Sequence, residues 1–107
     1  MITFDEFKKI EMKVGQIISA IPVEGSEKLL KLEVDFGEDK TRTVVSGIAG
    51  HVELNDFIGS QKVFITNLEP RSIMGIESQA MILAGKDGQG LALIVPTREL
   101  PIGTLLS

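Results

Sequence analysis

Leu30-Lys31-Leu32-Glu33-Val34-Asp35-Phe36 alternates apolar and charged residues without a break. A period of two puts Leu30, Leu32, Val34 and Phe36 on one face and the charges on the other, as in a half-buried strand. Gly37-Glu38-Asp39-Lys40 follows as a turn, and Thr41 to Val45 resumes as a strand, so the two runs form a hairpin. Upstream, Val14 to Ile21 is rich in Val and Ile; downstream, Lys62 to Leu68 is a further strand. Pro70 interrupts it, because proline cannot donate to a ladder. Gln79 to Ala84 and Leu91 to Val95 are two more apolar runs, joined by the glycine-rich stretch Gly85 to Gly90.

Two short helices complete the pattern. Thr3 and Glu6 form a capping box, and Phe4, Phe7 and Ile10 are spaced by three, so they share a helical face expected to pack on the rest of the domain. The segment from Val52 to Ile58 has room for a second short helix, with Gly59 as its stop. About five or six short, evenly spaced strands, with a helix between the third and fourth, predict an all-β, OB-type five-stranded barrel. The expectation is one domain over residues 1–107, without repeat, linker or low-complexity segment.

Composition excludes several chemistries. The chain has 107 residues and no cysteine, which rules out disulfides, thiolate zinc sites and thiol catalysis. A single histidine rules out a multi-histidine metal site, and without Trp or Tyr any stacking platform must come from five phenylalanines. No cofactor is expected. The net charge of −4 argues against a simple basic nucleic-acid binder, but the position of the cations decides binding. Lys13, Lys28, Lys31, Arg42, Lys62 and Arg71 fall between the first strand and the proline turn, where a barrel can gather several on one side. Ordinary solubilising charge accounts for them equally well. The N-terminus has no secretory signal pattern, and no apolar run approaches the roughly 20 residues of a membrane span. The expected compartment is the cytoplasm.

No catalytic constellation stands out. His51 has Ser46 and Asp56 near it in sequence, but a triad is defined by spatial roles. Gly85, Gly88 and Gly90 precede a strand, whereas a dinucleotide loop precedes a helix. Glu24, Glu27, Glu33, Asp35, Glu38 and Asp39 read as solvated faces and turns rather than a cation site. One segment is less ordinary: Asn67-Leu68-Glu69-Pro70-Arg71 leads to Gly75-Ile76-Glu77-Ser78-Gln79-Ala80-Met81, with adaptable polar groups and a flexible thioether close together. On chemistry alone, a turn with Met81 in the core is the favoured reading.

In order along the chain, Phe7–Gly15 (FKKIEMKVG), Lys28–Gly37 (KLLKLEVDFG), Arg42–Ile48 (RTVVSGI), Asn67–Arg71 (NLEPR) and Gly75–Ala84 (GIESQAMILA) resemble the tRNA-binding domain family over essentially the whole chain. That family includes stand-alone tRNA-binding proteins, the C-terminal domain or beta subunit of methionyl-tRNA synthetases, and CsaA-like chaperones. The resemblance implies an OB barrel that binds tRNA by shape at the outer corner of the L, independently of sequence, without catalysis and without a preference for DNA. It implies Ser78 and Met81 as an RNA-contacting pair, Asn67 and Arg71 as polar neighbours, and Lys28, Lys31, Arg42 and Ser46 on or near the same face. It further implies a homodimer through the N-terminal helix and C-terminal segment, or partnership with an aminoacyl-tRNA synthetase, and no membrane partner. The start at Met1 and the end-to-end match fit a stand-alone chain. Three departures bear on affinity. Ala80 stands where glycine is usual, Lys13 where arginine is common, and Ile21–Ser26 lacks the usual His-Pro-Asn-Ala type of loop. The alternative is a CsaA-like peptide-binding module in protein export, with Ile73, Met74, Ile76 and Met81 forming a groove; a third reading is a domain that tethers a synthetase.

Overall fold

The computed structural model describes residues 1–107. Its frame is an antiparallel sheet built from β1 (Met12–Pro22), β2 (Leu30–Asp35), β3 (Arg42–Ser46), β4 (Gln61–Ile65) and β7 (Met81–Ile82), in the spatial order β3-β2-β1-β4-β7. This five-stranded order is the OB-type barrel expected from the sequence. The short β10 (Leu105–Leu106) adds to β1 beside Met12 and Lys13. β1 is long enough to pair with β4 through Met12–Gln16 and with β2 through Gln16–Pro22. A register shift between Ile17 and Ser19 bends it at the handover. One bent strand thus serves both halves of the barrel.

The alternation in β2 does what it predicts: Leu30, Leu32 and Val34 are buried, and the residues between them are only half-buried. They meet Ile17, Val44 and Phe64 in the core, where the Phe36 and Phe64 rings pack edge-on at 5.1 Å. Gly15 has a packing reason to be glycine, since a Cβ there would fall 2.6 Å from both Val34 and Phe36 side-chain atoms. α2 (Leu54–Phe57) lies between β3 and β4 and plugs the barrel end with buried Phe57.

The N-terminal helix departs from expectation. α1 (Phe4–Phe7) has the capping box at Thr3 and Glu6, but none of its residues is buried, and Phe4 is 72 % exposed. A single turn ends before Ile10, so the three apolar residues do not share one helical face: Phe4 and Ile10 stay exposed and only Phe7 is half-buried. The region from Arg71 to Val95 also departs from its expected form. It divides into the hairpin β5 (Arg71–Ile73)–β6 (Ile76–Ser78), then β7, then the ribbon β8 (Ala84–Asp87)–β9 (Gly90–Leu93). The β5–β6 turn is Met74-Gly75, both at positive φ (49° and 79°), the mirror-image turn that matches strand twist. Gly75 adopts this freely, whereas Met74 is strained there.

Candidate functional site

Between Thr66 and Gln79 the chain leaves the barrel wall, turns at Pro70, and folds the β5–β6 hairpin over the outer side of β3. β3 would otherwise be a bare edge, with N–H groups in search of acceptors. Two side chains supply them. The Val45 N–H donates to Ser78 Oγ at 3.0 Å, and the Thr43 N–H donates to Gln79 Oε1 at 2.9 Å. The Gln79 N–H in turn donates to the Thr43 carbonyl at 2.8 Å. Ser78 Oγ also donates to the Ala80 carbonyl. Side chains thus stand in for ladder bonds and close the barrel.

The closure leaves a cleft of about 90 Å³ between hairpin and barrel, with Val45, Leu68, Ile73, Ala80, Met81 and Ile82 as its apolar lining. Ser46, Glu69, Arg71 and Ser78 supply its polar groups. Met81 is 46 % exposed and Leu68 is 50 % exposed, so both offer apolar surface at the mouth. The favoured local reading of Met81 as a core residue is therefore corrected. None of the five phenylalanines reaches the cleft: Phe36, Phe57 and Phe64 are buried, and Phe4 and Phe7 lie in α1. Aromatic stacking on bases, the usual device of single-strand binders, is absent from this face.

Ser46, Arg71, Ser78 and Met81 line this one cleft. Lys31 pairs across the sheet with Val45, so half-buried Lys31 shares the face of that lining residue, and exposed Lys28 lies in the loop just before β2. Arg71, Lys28 and Lys31 are in no ion pair, which leaves their charges available to a ligand.

Three of the candidates, Ser78 among them, have their polar groups occupied internally. Ser78 is 7 % exposed and its hydroxyl is used in closing the barrel, so it forms a rear wall rather than a free donor. Asn67 accepts from the Glu11 N–H at 2.8 Å and donates to the Lys9 carbonyl at 2.6 Å, fastening the segment before β1. Arg42 grips both oxygens of Glu38, at 2.8 and 2.7 Å, beside the Phe36 ring. Its hydrogen bonds hold the Glu38 carboxyl below its ordinary value, and Glu38 raises Arg42 in return. Glu11 is held low by the Thr66 hydroxyl first and Lys13 second. Each of these polar residues has the composition of a contact, and only the fold shows it in use.

Leu68, Ile73 and Gln79 complete the site beyond the candidate set. The apolar pattern extends the strand as far as Leu68, but β4 stops at Ile65. Asn67 and Pro70 on either side are the signal that Leu68 sits in a turn. Elsewhere, no group of His, Asp and Glu is placed to hold a metal ion. No helix is long and apolar enough to cross a membrane.

The chain is 46 % identical over 106 residues to a methionine–tRNA ligase of Helicobacter pylori (strain J99), covering 99 % of this chain and 16 % of that protein. The methionine–tRNA ligase of Methanococcus aeolicus gives the same identity and coverage. The chain therefore spans about a sixth of the length of these relatives. Among solved structures, a MetRS-related protein from Pyrococcus horikoshii superimposes with a TM-score of 0.90 at 36 % identity, covering 100 % of this chain and 98 % of that one. The chaperone CsaA from Bacillus anthracis superimposes with a TM-score of 0.87 at 29 % identity, covering 100 % and 99 %. Residues 12–105 match the family described as "Putative tRNA binding domain", and on that match, supported by these relatives, the chain belongs to the tRNA-binding domain family.

Proposed function

We propose that the chain binds tRNA by shape at the β3–hairpin cleft, by binding alone and with no chemical step. One observation carries the reading: an apolar cleft with an open Met81 and Leu68 at its mouth is lined by Arg71, which is not ion-paired, and the unpaired Lys31 shares the sheet face of its lining residue Val45. The cations neutralise phosphates and release counterions. Met81 and Leu68 receive an unstacked base or ribose, and the Ser46 hydroxyl serves a sugar or base edge. Recognition of RNA through exposed bases and the 2′-hydroxyl suits such a face and disfavours duplex DNA. The acidic remainder repels RNA and fixes its orientation.

The chain acts in the cytoplasm, as a stand-alone protein or as an accessory to a methionyl-tRNA synthetase. A second copy docks through the open apolar surface of Phe4, Ile10 and Leu105, which the domain leaves uncovered. The same cleft supports the peptide-binding reading, because six of its ten lining residues are hydrophobic. An apolar peptide that displaces tRNA would mark a shared site.

Arg71→Ala tests the role of the exposed cation. Its slope of log affinity against log salt is expected to fall by about one unit, as for one lost phosphate contact. An unchanged slope would remove Arg71 from the interface.

A further inference from the structure

Arg42 has the charge of a phosphate ligand but the geometry of a staple. Its Nη1 donates to the Thr66 carbonyl at 2.6 Å and to the Gln79 carbonyl at 3.3 Å. Thr66 and Gln79 are the two ends of the excursion that carries Leu68, Arg71 and the β5–β6 hairpin, the outer wall of the cleft. One nitrogen therefore pins the point where this wall leaves the barrel to the point where it returns. The rest of the guanidinium is fixed by Glu38, through Nε and Nη2, and by the Phe36 ring 5.4 Å away. Thr66 is anchored in turn, since its hydroxyl donates to the Glu11 carboxylate at 2.6 Å and its N–H to the Glu11 carbonyl at 2.9 Å.

We infer that Arg42 is a positioning residue of the binding cleft, which joins the two ends of its outer wall, with Glu38 as the anchor that aims it. The inference rests on the tRNA-binding reading only for its affinity readout. A planar fork with five donors can serve a carboxylate and two carbonyls together, which a lysine ammonium cannot do with fixed direction. Between its two ends, the wall is tied near its start by Asn67 to Glu11 and Lys9 and near its return by Ser78 to Val45, and at the hairpin tip the Met74 methyl lies beside Gly25. Loss of the staple frees the stretch between.

The test compares Glu38→Ala and Arg42→Gln with the native chain, by tRNA binding across a salt series and by amide hydrogen exchange. As the anchor of a staple, Glu38 is needed for binding. Glu38→Ala is expected to weaken tRNA binding about fivefold, although it removes a negative charge. If Arg42 were a phosphate ligand masked by Glu38, the same change would tighten binding. Arg42→Gln is expected to weaken binding with an unchanged salt slope, and a slope lower by about one unit would identify a phosphate contact instead. Both variants are expected to speed exchange from Leu68 to Ser78 without tRNA, and native-like exchange there would overturn the inference. If exchange accelerates while the native chain binds no tRNA, the staple stands and the tRNA-binding reading falls. Glu38 lies in an exposed turn, so that variant keeps the test open if Arg42→Gln does not fold.

Discussion

Replacing Ser78 with alanine is expected to lower the melting temperature by roughly 5–20 °C. The hydroxyl accepts the Val45 N–H and donates to the Ala80 carbonyl, and both Ser78 and Val45 are buried. Alanine leaves that N–H without an acceptor where water does not reach. An unsatisfied buried group costs about 1–3 kcal/mol, and in a domain of this size each kcal/mol moves the midpoint by about 4–8 °C. Thermal unfolding followed by circular dichroism measures the effect. A drop under about 2 °C would mean that β3 is closed by something other than Ser78.

Met81→Ala has the opposite profile. Nearly half of the Met81 surface is open, so its removal sacrifices little packing, and the melting temperature is expected to stay within about 5 °C of native. The same open surface is what a ligand covers. Full burial of a methionine is worth about 1.5–3 kcal/mol, so covering the exposed half predicts a loss of tRNA affinity of about three- to tenfold, at 1.4 kcal/mol per decade. Titration of labelled tRNA reads it directly. Unchanged affinity would take Met81 out of the interface, and a collapse in melting temperature would make it a core residue after all. Ser78 and Met81 stand three apart, yet one is structure and the other surface.

That divergence shows how far local pattern reaches. Leu30 to Phe36 alternate cleanly, and the barrel follows because burial on one face outweighs every competing preference along β2. Val45 shows where alternation fails. It pairs with Lys31 on the outer face, where local pattern expects solvent, yet it is buried because the β5–β6 hairpin lies over it. That hairpin depends on Met74 adopting a positive φ, which propensity argues against. The apolar run from Gln79 to Ala84 is likewise divided, between β7 and the start of β8. Asn67 and Arg42 are taken up by internal hydrogen bonds for a related reason. Their partners are remote in sequence, at Lys9 and Glu11 for Asn67 and at Thr66 and Gln79 for Arg42. Polar residue types announce that hydrogen bonds will form, and the fold decides with whom. The resemblance singles out Met81, Arg71 and Ser46 by aligning the whole stretch, and the structure brings them to one cleft. Phe4 defies its pattern because a capping box guarantees a helical turn, not a surface for it to lie on.

A protein with a net charge of −4 must bind RNA through a local arrangement of cations rather than through bulk attraction. This makes the salt dependence of the native chain informative, and the control ligand decisive. The most direct measurement is the affinity for total tRNA and for duplex DNA of equal length, across a salt series. The account predicts saturable tRNA binding, linear in log–log form against salt, and stronger than DNA binding at every salt concentration. Equal weak binding to both ligands, or none to either, would contradict it.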